Sequence, residues 1–425
     1  MVVSSFSKNW DEAQNRKLWL DRVLCLMLIV VSGNPAVTYF YMPAVIILPA
    51  IILGVIAFLR KIRITERDLW IATGFALLFI AQLAIFGSQV ISPSISFMFK
   101  LLTGLLAVKV IKNFDKRLIE VMVALSLISL VFFAPVLFGV DMASLVRPIA
   151  IPFVQNNIQP SIDIGIHNYR IEVGDLHRNS GMFWEPGAFA GYIILTMLFL
   201  LKTNGSRSAM YFFVLTIALI TTQSTTGYLV FPLVIIVYLW NRSKQLSIFK
   251  RNFARIFYIT TIVAGVSLAY VNFSFLEQKV VSQMINAENE GAGWQLTRFG
   301  NALYDFHYIS RRPLLGWSLS DKTRGETDKD ILTRQGNGLT GSMVRFGMLG
   351  FLMYVAFVYR SFQMRFNSTV IAISAVVVIN FLLMGEQFLF YPLFLSLMFL
   401  TRKKCEVCES NPLTVNHPLL SRKTS

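Results

Sequence analysis

The segment Asp175–Leu201, DLHRNSGMFWEPGAFAGYIILTMLFLL, carries a polar stretch with His177, Arg178 and Glu185 directly into an apolar run. Pro186 suits the first position of a helix, because its missing N–H would be unpaired there and its fixed φ is already helical. The residue before a proline is pushed toward extended conformations. Glu185 is therefore expected just outside the first turn, facing the positive end of the helix dipole. Arg178 lies seven residues earlier, on the polar side. The pattern predicts one wall of a site at a membrane surface, where an anionic group is held beside a carboxylate able to take a proton. The plainer alternative is a loop whose Arg178 and Glu185 pair with each other and anchor the helix end.

Composition agrees with the membrane half of that reading. Of 425 residues 55% are hydrophobic and only 15% charged, and the mean hydropathy is +0.59, too apolar for a soluble protein. The net charge of +16 does not point to nucleic acid, because Lys and Arg crowd alternate short links between apolar segments. Arg60, Lys61, Arg63 and Arg67 fill one, Lys112, Lys116 and Arg117 the next, then Lys202 and Arg207, Arg242 to Arg255, and Arg360 with Arg365. The intervening short links near 33–37, 87–94, 222–226 and 385–387 hold none. This is the positive-inside pattern, and it predicts both termini in the cytoplasm. Cys25, Cys405 and Cys408 are too few for a disulfide framework, and the Cys405/Cys408 pair lacks the further ligands of a metal site, so free thiols in a reducing compartment are expected. The stretch Lys8–Arg22 is mixed in charge and precedes an apolar run without a small-residue cleavage site, which predicts an uncleaved anchor.

A bilayer span needs roughly 17 to 25 mostly apolar residues. The expected spans lie near 18–33, 38–59, 69–86, 95–111, 118–140, 184–201, 209–222, 226–240, 255–272, 339–359, 369–385 and 387–401. The chain is thus predicted to be an all-α, polytopic integral membrane protein with about twelve transmembrane helices in one domain, 1–425. The hydroxyl-rich TTQSTTG at 221–227 could also be a re-entrant bend, tolerated at membrane depth only beside a cavity or inside protein.

Two long loops, 141–183 and 273–338, fall on the far side and are expected to cap the site. In the second, Leu296, Phe299, Leu303 and Phe306 share one face of a predicted helix along the membrane surface, with Arg298 and Asp305 on another. The helix should stop at Pro313. The charge run Arg324–Arg334 reads as solvated loop.

Charges inside spans are costly and are functional candidates by default. Lys100 is the foremost: near the far side, it either meets the same site as Arg178 or snorkels to headgroups. Lys109 and Glu120 read as snorkelling or capping residues, Asp21 as interfacial, and Glu386 as facing water. No phosphate-binding glycine loop, HExxH or Cys/His cluster is present. What remains is a set of arginines in two far-side loops near a carboxylate, above a helical bundle. Arginine matches phosphate oxygens bidentately, and a lipid diphosphate is the anion such a site would meet.

Arg178-Asn-Ser-Gly-Met-Phe-Trp-Glu185-Pro186 followed by Ala188–Tyr192, Thr221–Gly227 between two spans, Arg298, Pro313-Leu-Leu-Gly316, Asn337-Gly338 and Arg345-Phe-Gly347-Met-Leu-Gly350 together resemble the Wzy-type family of O-antigen and exopolysaccharide polymerases. That family lies within the wider group that includes the O-antigen ligases. Ligases of the group carry His-Asn where this chain has Gly336-Asn337-Gly338, which favours polymerase; His307 or His177 could stand in and keeps the ligase reading open. The resemblance implies a cofactor-free, metal-independent, inverting glycosyltransferase at the periplasmic face of the bacterial inner membrane. Its expected substrate is an undecaprenyl-diphosphate-linked oligosaccharide, and a chain-length regulator protein is an expected partner. On that reading Arg178 and Arg298 hold the donor diphosphate and Glu185 is the base. Arg170, His177, Lys100, His307, Asn337 and Arg345 bind substrate. A flippase for lipid-linked oligosaccharide fits the span number too, but transporters place charges at the midplane of broken helices, whereas polar residues here concentrate in two loops. A structural or regulatory membrane protein is the third reading, in which no single loop arginine is essential.

Overall fold

The structure is a computed structural model that describes residues 2–38, 43–150, 161–170, 177–201, 206–243, 252, 298–324 and 337–402. It is mostly helical. The helices are α1 (Val2–Gly33), α2 (Pro35–Thr38), α3 (Pro43–Leu59), α4 (Glu66–Phe86), α5 (Ile91–Val110), α6 (Phe114–Leu137) and α7 (Met142–Val146) in the first part of the chain. After a hairpin of β1 (Ser161–Asp163) and β2 (Asn168–Arg170) come α8 (Pro186–Leu200), α9 (Ser206–Thr222), α10 (Thr225–Ser243), α11 (Arg298–Arg311), α12 (Gly338–Phe366), α13 (Thr369–Gly385) and α14 (Pro392–Ser396). Three stretches, Glu66–Val110, Phe114–Leu137 and Gly338–Phe366, are long and apolar enough to cross a membrane, with shorter apolar helices beside them. The expected span 255–272 lies outside the described residues. The TTQSTTG stretch is a tight connection between two helices, with Gln223 at φ 48°.

Pro186 starts α8 as its sequence predicts, and every residue from Ala188 to Leu200 is buried. A helix apolar all round belongs inside a bundle, and α8 packs against α6, α9, α10 and α13. Charges concentrate at the end of the bundle that carries the basic links. There Asp21 pairs with Arg60 at 2.8 Å, Asp68 with Lys109 at 2.6 Å, Asp115 with Arg365 at 2.7 Å, and Glu120 with Arg117 at 2.5 Å and Arg22 at 2.9 Å. Lys109, Glu120 and Asp21, which the sequence assigns to snorkelling, capping and the interface, instead clamp one helix to another. Removing one partner of the buried pairs, Asp68–Lys109 or Asp115–Arg365, costs about 3–5 kcal/mol.

The last expected span, 387–401, is not a continuous helix. Phe388–Phe390 and Leu397–Phe399 are 3₁₀ turns on either side of the five-residue α14, and Pro392–Leu400 is buried throughout. Broken backbone at membrane depth persists only where protein satisfies its polar groups, and neighbouring side chains do so here. Leu393 N donates to Ser32 Oγ (3.0 Å), Tyr354 OH to Phe394 O (3.3 Å) and Ser361 Oγ to Met398 O (2.5 Å). Arg67 donates to Met398 O and Leu400 O, and Arg365 to Thr401 O. Hydropathy could not separate this segment from a spanning helix, because both are equally apolar.

α12 is also interrupted, at Gly347 (φ 66°, ψ 177°), a conformation open essentially to glycine alone. The Pro313–Ser318 turn of the second loop fills the break: Met348 N donates to Pro313 O (2.7 Å), Leu349 N to Leu314 O (3.2 Å), Trp317 N to Val344 O (2.7 Å) and Ser318 N to Arg345 O (3.1 Å). Gln82 of α4 adds bonds to Leu315 O (2.6 Å) and Arg345 O (2.9 Å). α11 stops where proline demands. It turns Asn301, Asp305 and Tyr308 inward against α12 and leaves Leu303 and Phe306 exposed, an apolar face turned out from the protein.

The first loop departs from the all-α expectation. Ile162 and Tyr169 sit opposite each other across β1 and β2 and bury against Val146, Phe132 and Val136. Asp163, fully buried, accepts from Gly165 N at 2.7 Å, and burial raises its carboxyl to about 6. His167 stacks on Phe132 and Tyr169, and burial lowers its imidazole to about 4. Asp163 therefore contributes stability that is full at low pH and is lost as pH rises through about 6. His167 contributes stability that is full above 6.5 and is lost as pH falls toward 4. Between these limits the two oppose each other. Relative to wild type, the stability of Asp163→Asn should climb with pH across this window and that of His167→Phe should fall, each by up to about 3 kcal/mol. Denaturation of the detergent-solubilised protein over that range is the measurement, and parallel pH profiles in all three proteins would refute the assignment.

Candidate active site at the mouth of the central helix

The segment before α8 is fixed by its own polar residues. Asn179 is the staple: its N–H donates to Thr221 O (3.0 Å), its side-chain NH₂ to Thr221 Oγ1 (2.9 Å), and its oxygen accepts from Ser129 Oγ (2.7 Å) and Gly181 N (2.9 Å). Gly181, at φ 53°, turns the chain there, and its carbonyl accepts from Asn168 N at 2.6 Å. Arg178 is half-buried and donates from Nε to Thr222 O at 3.3 Å, with its charge facing Tyr228. It thus stands on the turn between α9 and α10.

Glu185 is extended (φ −159°, ψ 162°) before Pro186, as predicted, and its side chain makes no cap bond to the helix. Instead it lies beside Gly187 together with Glu386: a methyl group on Gly187 would sit 2.8 Å from Glu386 Oε1 and 3.6 Å from Glu185 Oε1. The sequence assigns Glu386 to water. The structure brings it, half-buried, to the same corner as Glu185, because α13 ends at Gly385 and Glu386 is its extended cap.

The next residue, Gln387, accepts from Arg345 Nη1 at 3.0 Å, and the Arg345 guanidinium lies 4.7 Å above the Phe390 ring. Asp321 Oδ1 stands 3.6 Å from Arg345 Nη2 and also pairs with Arg324. Arg324 belongs to the charge run read as solvated loop, yet it is buried. Burial first, and then the like charge of Arg345, holds its guanidinium below the usual arginine range. Lys100 lies within electrostatic reach of Arg345 and is the tenth residue of α5, half-buried.

Asn337 caps α12, accepting from Leu339 N (3.0 Å) and Thr340 N (3.2 Å). His177 and His307 are exposed. Arg170 ends β2 and Arg298 begins α11; their side chains lie outside the described residues. Asp305 turns inward and accepts from Thr340 Oγ1 at 2.5 Å. Glu386, Gln387, Asp321 and Arg324 are the members that sequence reasoning missed. The first two were detectable only as a polar pair at a span end; Asp321 lies just before the charged run and Arg324 opens it, so neither stands out from it.

Among the described residues no group of three or more His, Cys, Asp or Glu side chains gathers as a metal site. Two carboxylates thus share one corner, and Gln387 beside Glu386 holds a guanidinium; a carboxylate can accept a proton and a guanidinium can hold an anion. The chain matches no protein-family model and no curated protein.

Proposed function

We propose that this protein polymerises polyprenyl-diphosphate-linked oligosaccharide repeat units into O-antigen or a related surface polysaccharide. It does so as a multi-pass protein of the bacterial inner membrane with about twelve membrane segments, both termini cytoplasmic and both long loops periplasmic. The observation that carries the reading is the Glu386–Gln387 turn, whose first residue joins Glu185 and whose second holds Arg345. A carboxylate pair and a cation thus stand together at one end of an apolar bundle, which suits a lipid diphosphate donor. The acceptor sugar hydroxyl attacks the anomeric carbon, its proton passes to Glu185, and the bond to the diphosphate breaks with inversion. Arg178 and Arg298, aided by Arg170 and Arg345, stabilise the charge on the leaving diphosphate, which in a water-poor site is usually the largest single contribution to catalysis. His177, His307, Lys100 and Asn337 would contact the remaining substrate, and a chain-length regulator would act on the growing polymer.

Deletion of the chain tests the class. A polymerase strain keeps surface lipid bearing one repeat unit. Bare core with polymer stranded on the carrier would indicate a ligase, and single units trapped on the cytoplasmic side a flippase; either overturns the proposal.

A further inference from the structure

α11 does not lie flat across the end of the bundle. Asp305 accepts from Thr340 Oγ1 in the first turn of α12, whereas Pro313 O accepts from Met348 N, eight residues further along. α11 therefore runs antiparallel to α12 and descends beside it by on the order of 10 Å. The chain then turns at Leu314–Gly316 and climbs back, because Trp317 N and Ser318 N donate to Val344 O and Arg345 O, nearer the start of α12.

α4 fixes the depth of that turn. Its 21 residues, Glu66–Phe86, match the roughly 20 that the hydrocarbon core of a bilayer requires, so Phe86 marks the far edge. Gln82 stands about one turn, roughly 6 Å, inside that edge, and its side chain donates to Leu315 O and Arg345 O. The turn is built for water-poor surroundings. Its backbone finds protein partners on both sides of the break in α12, and Gly316 N returns to Arg312 O; at a wetted surface water would serve those groups. The guanidinium of Arg312, the residue before Pro313, is held 4.7 Å over Phe86 and 4.9 Å over Trp317, rings that compensate a cation away from water. Arg311 is exposed, and a side chain of its length reaches the headgroup layer from there.

The outward face is apolar over the same depth. Leu303, 61% exposed, and Phe306 lie on it, and Leu314, 68% exposed, follows below. Leu314 O accepts from the backbone of Leu349, which is itself exposed, with Leu352, on the membrane-crossing α12. The stripe from Leu303 to Leu314 is thus continuous with the outward apolar surface of a spanning helix. Among the described residues these three side chains fall well short of the about 800 Å² per partner that a stable dimer buries.

We infer that residues 298–318 form a re-entrant half-span, with Leu303 at the headgroup boundary and Phe306 and Leu314 against the acyl chains of the far-side leaflet. This revises the surface-lying helix expected from the sequence. It rests on the membrane topology proposed above and not on the reaction.

Leu303→Cys, Phe306→Cys and Leu314→Cys, each labelled with bimane, test it in the full chain carrying Cys405→Ser and Cys408→Ser, reconstituted into nanodiscs; Cys25 is buried and stays. A mid-chain nitroxide lipid should quench the label at 314 at least about twofold more than a headgroup nitroxide lipid does, and the order should reverse at 303, because on the order of 10 Å of depth separates the two. Equal headgroup quenching at all three positions overturns the dip, as does dominant quenching by aqueous iodide. Protection from lipid and iodide alike would show a protein partner on this face and overturn it too. Thermal midpoints check each fold, and Ser310→Cys, exposed in the last turn of α11, replaces Leu314→Cys if that variant unfolds, with the same order against 303 expected. The topology fails separately: Lys322→Cys, exposed beyond the ascending limb, should react with an impermeant maleimide in spheroplasts. Reaction only in inverted vesicles would reverse the orientation proposed above and leave the depth order standing; a lost depth order with spheroplast labelling sinks the re-entrant segment alone.

Discussion

Arg178→Lys should abolish polymer almost as completely as Arg178→Ala, each by on the order of a hundredfold in rate. The reason lies in how the side chain is held. One edge of the guanidinium, through Nε, is committed to Thr222 O at 3.3 Å, and the planar fork can keep that bond while presenting further donors to a phosphate. A lysine ammonium restores the charge but is a compact point donor without the second edge, so it cannot hold both the turn and the ligand in fixed geometry. The measurement is the length distribution of surface polysaccharide in a deletion strain expressing each variant at equal level. Full-length polymer in the Lys variant would remove Arg178 from the chemistry and leave it a loop anchor.

Gly347→Ala should cost the fold about 2–6 kcal/mol, combining a glycine-only backbone conformation with a direct clash. That is a large share of the 5–15 kcal/mol typical of a whole protein (about 10 on average). A methyl group there would collide with Leu314 O and lie 2.7 Å from Gly316 N, so it would expel the Pro313–Ser318 turn from the break in α12. Gly54→Ala is the matched control, because the nearest atom to its added methyl is Leu106 Cδ1 at 4.0 Å. Recovery of monodisperse protein and its resistance to proteolysis measure the difference. Wild-type behaviour of Gly347→Ala would mean that the loop does not need this break.

The helical architecture was legible because apolar runs and their basic links are set by composition. The start of α8 was legible for a local reason: Pro186 after Glu185 admits few backbone conformations. What escaped the sequence depends on which way a residue faces. Glu386 and Gln387 are polar at a span end whether they meet water or Glu185 and Arg345, and only the packing of α13 against α8 and α10 decides. Asp21 likewise reads as interfacial, and Lys109 as a snorkelling or capping residue, until their partners Arg60 and Asp68 are known. The break at Gly347 was hidden because its cause lies in Pro313–Ser318, some thirty residues earlier. Likewise, nothing in the SIDIGIHNYR stretch at 161–170 outweighed the helical character of the rest.

The segment from Phe388 to Thr401 has a consequence for biogenesis. Its carbonyls are capped by Arg67, Tyr354, Ser361 and Arg365, so alone in hydrocarbon it would expose backbone that no lipid can solvate. It cannot partition into the bilayer as an independent unit in the way the long apolar helices can. In a membrane its insertion is expected to follow the assembly of those neighbours around an open slot, which would make it the keystone set last in the order of construction.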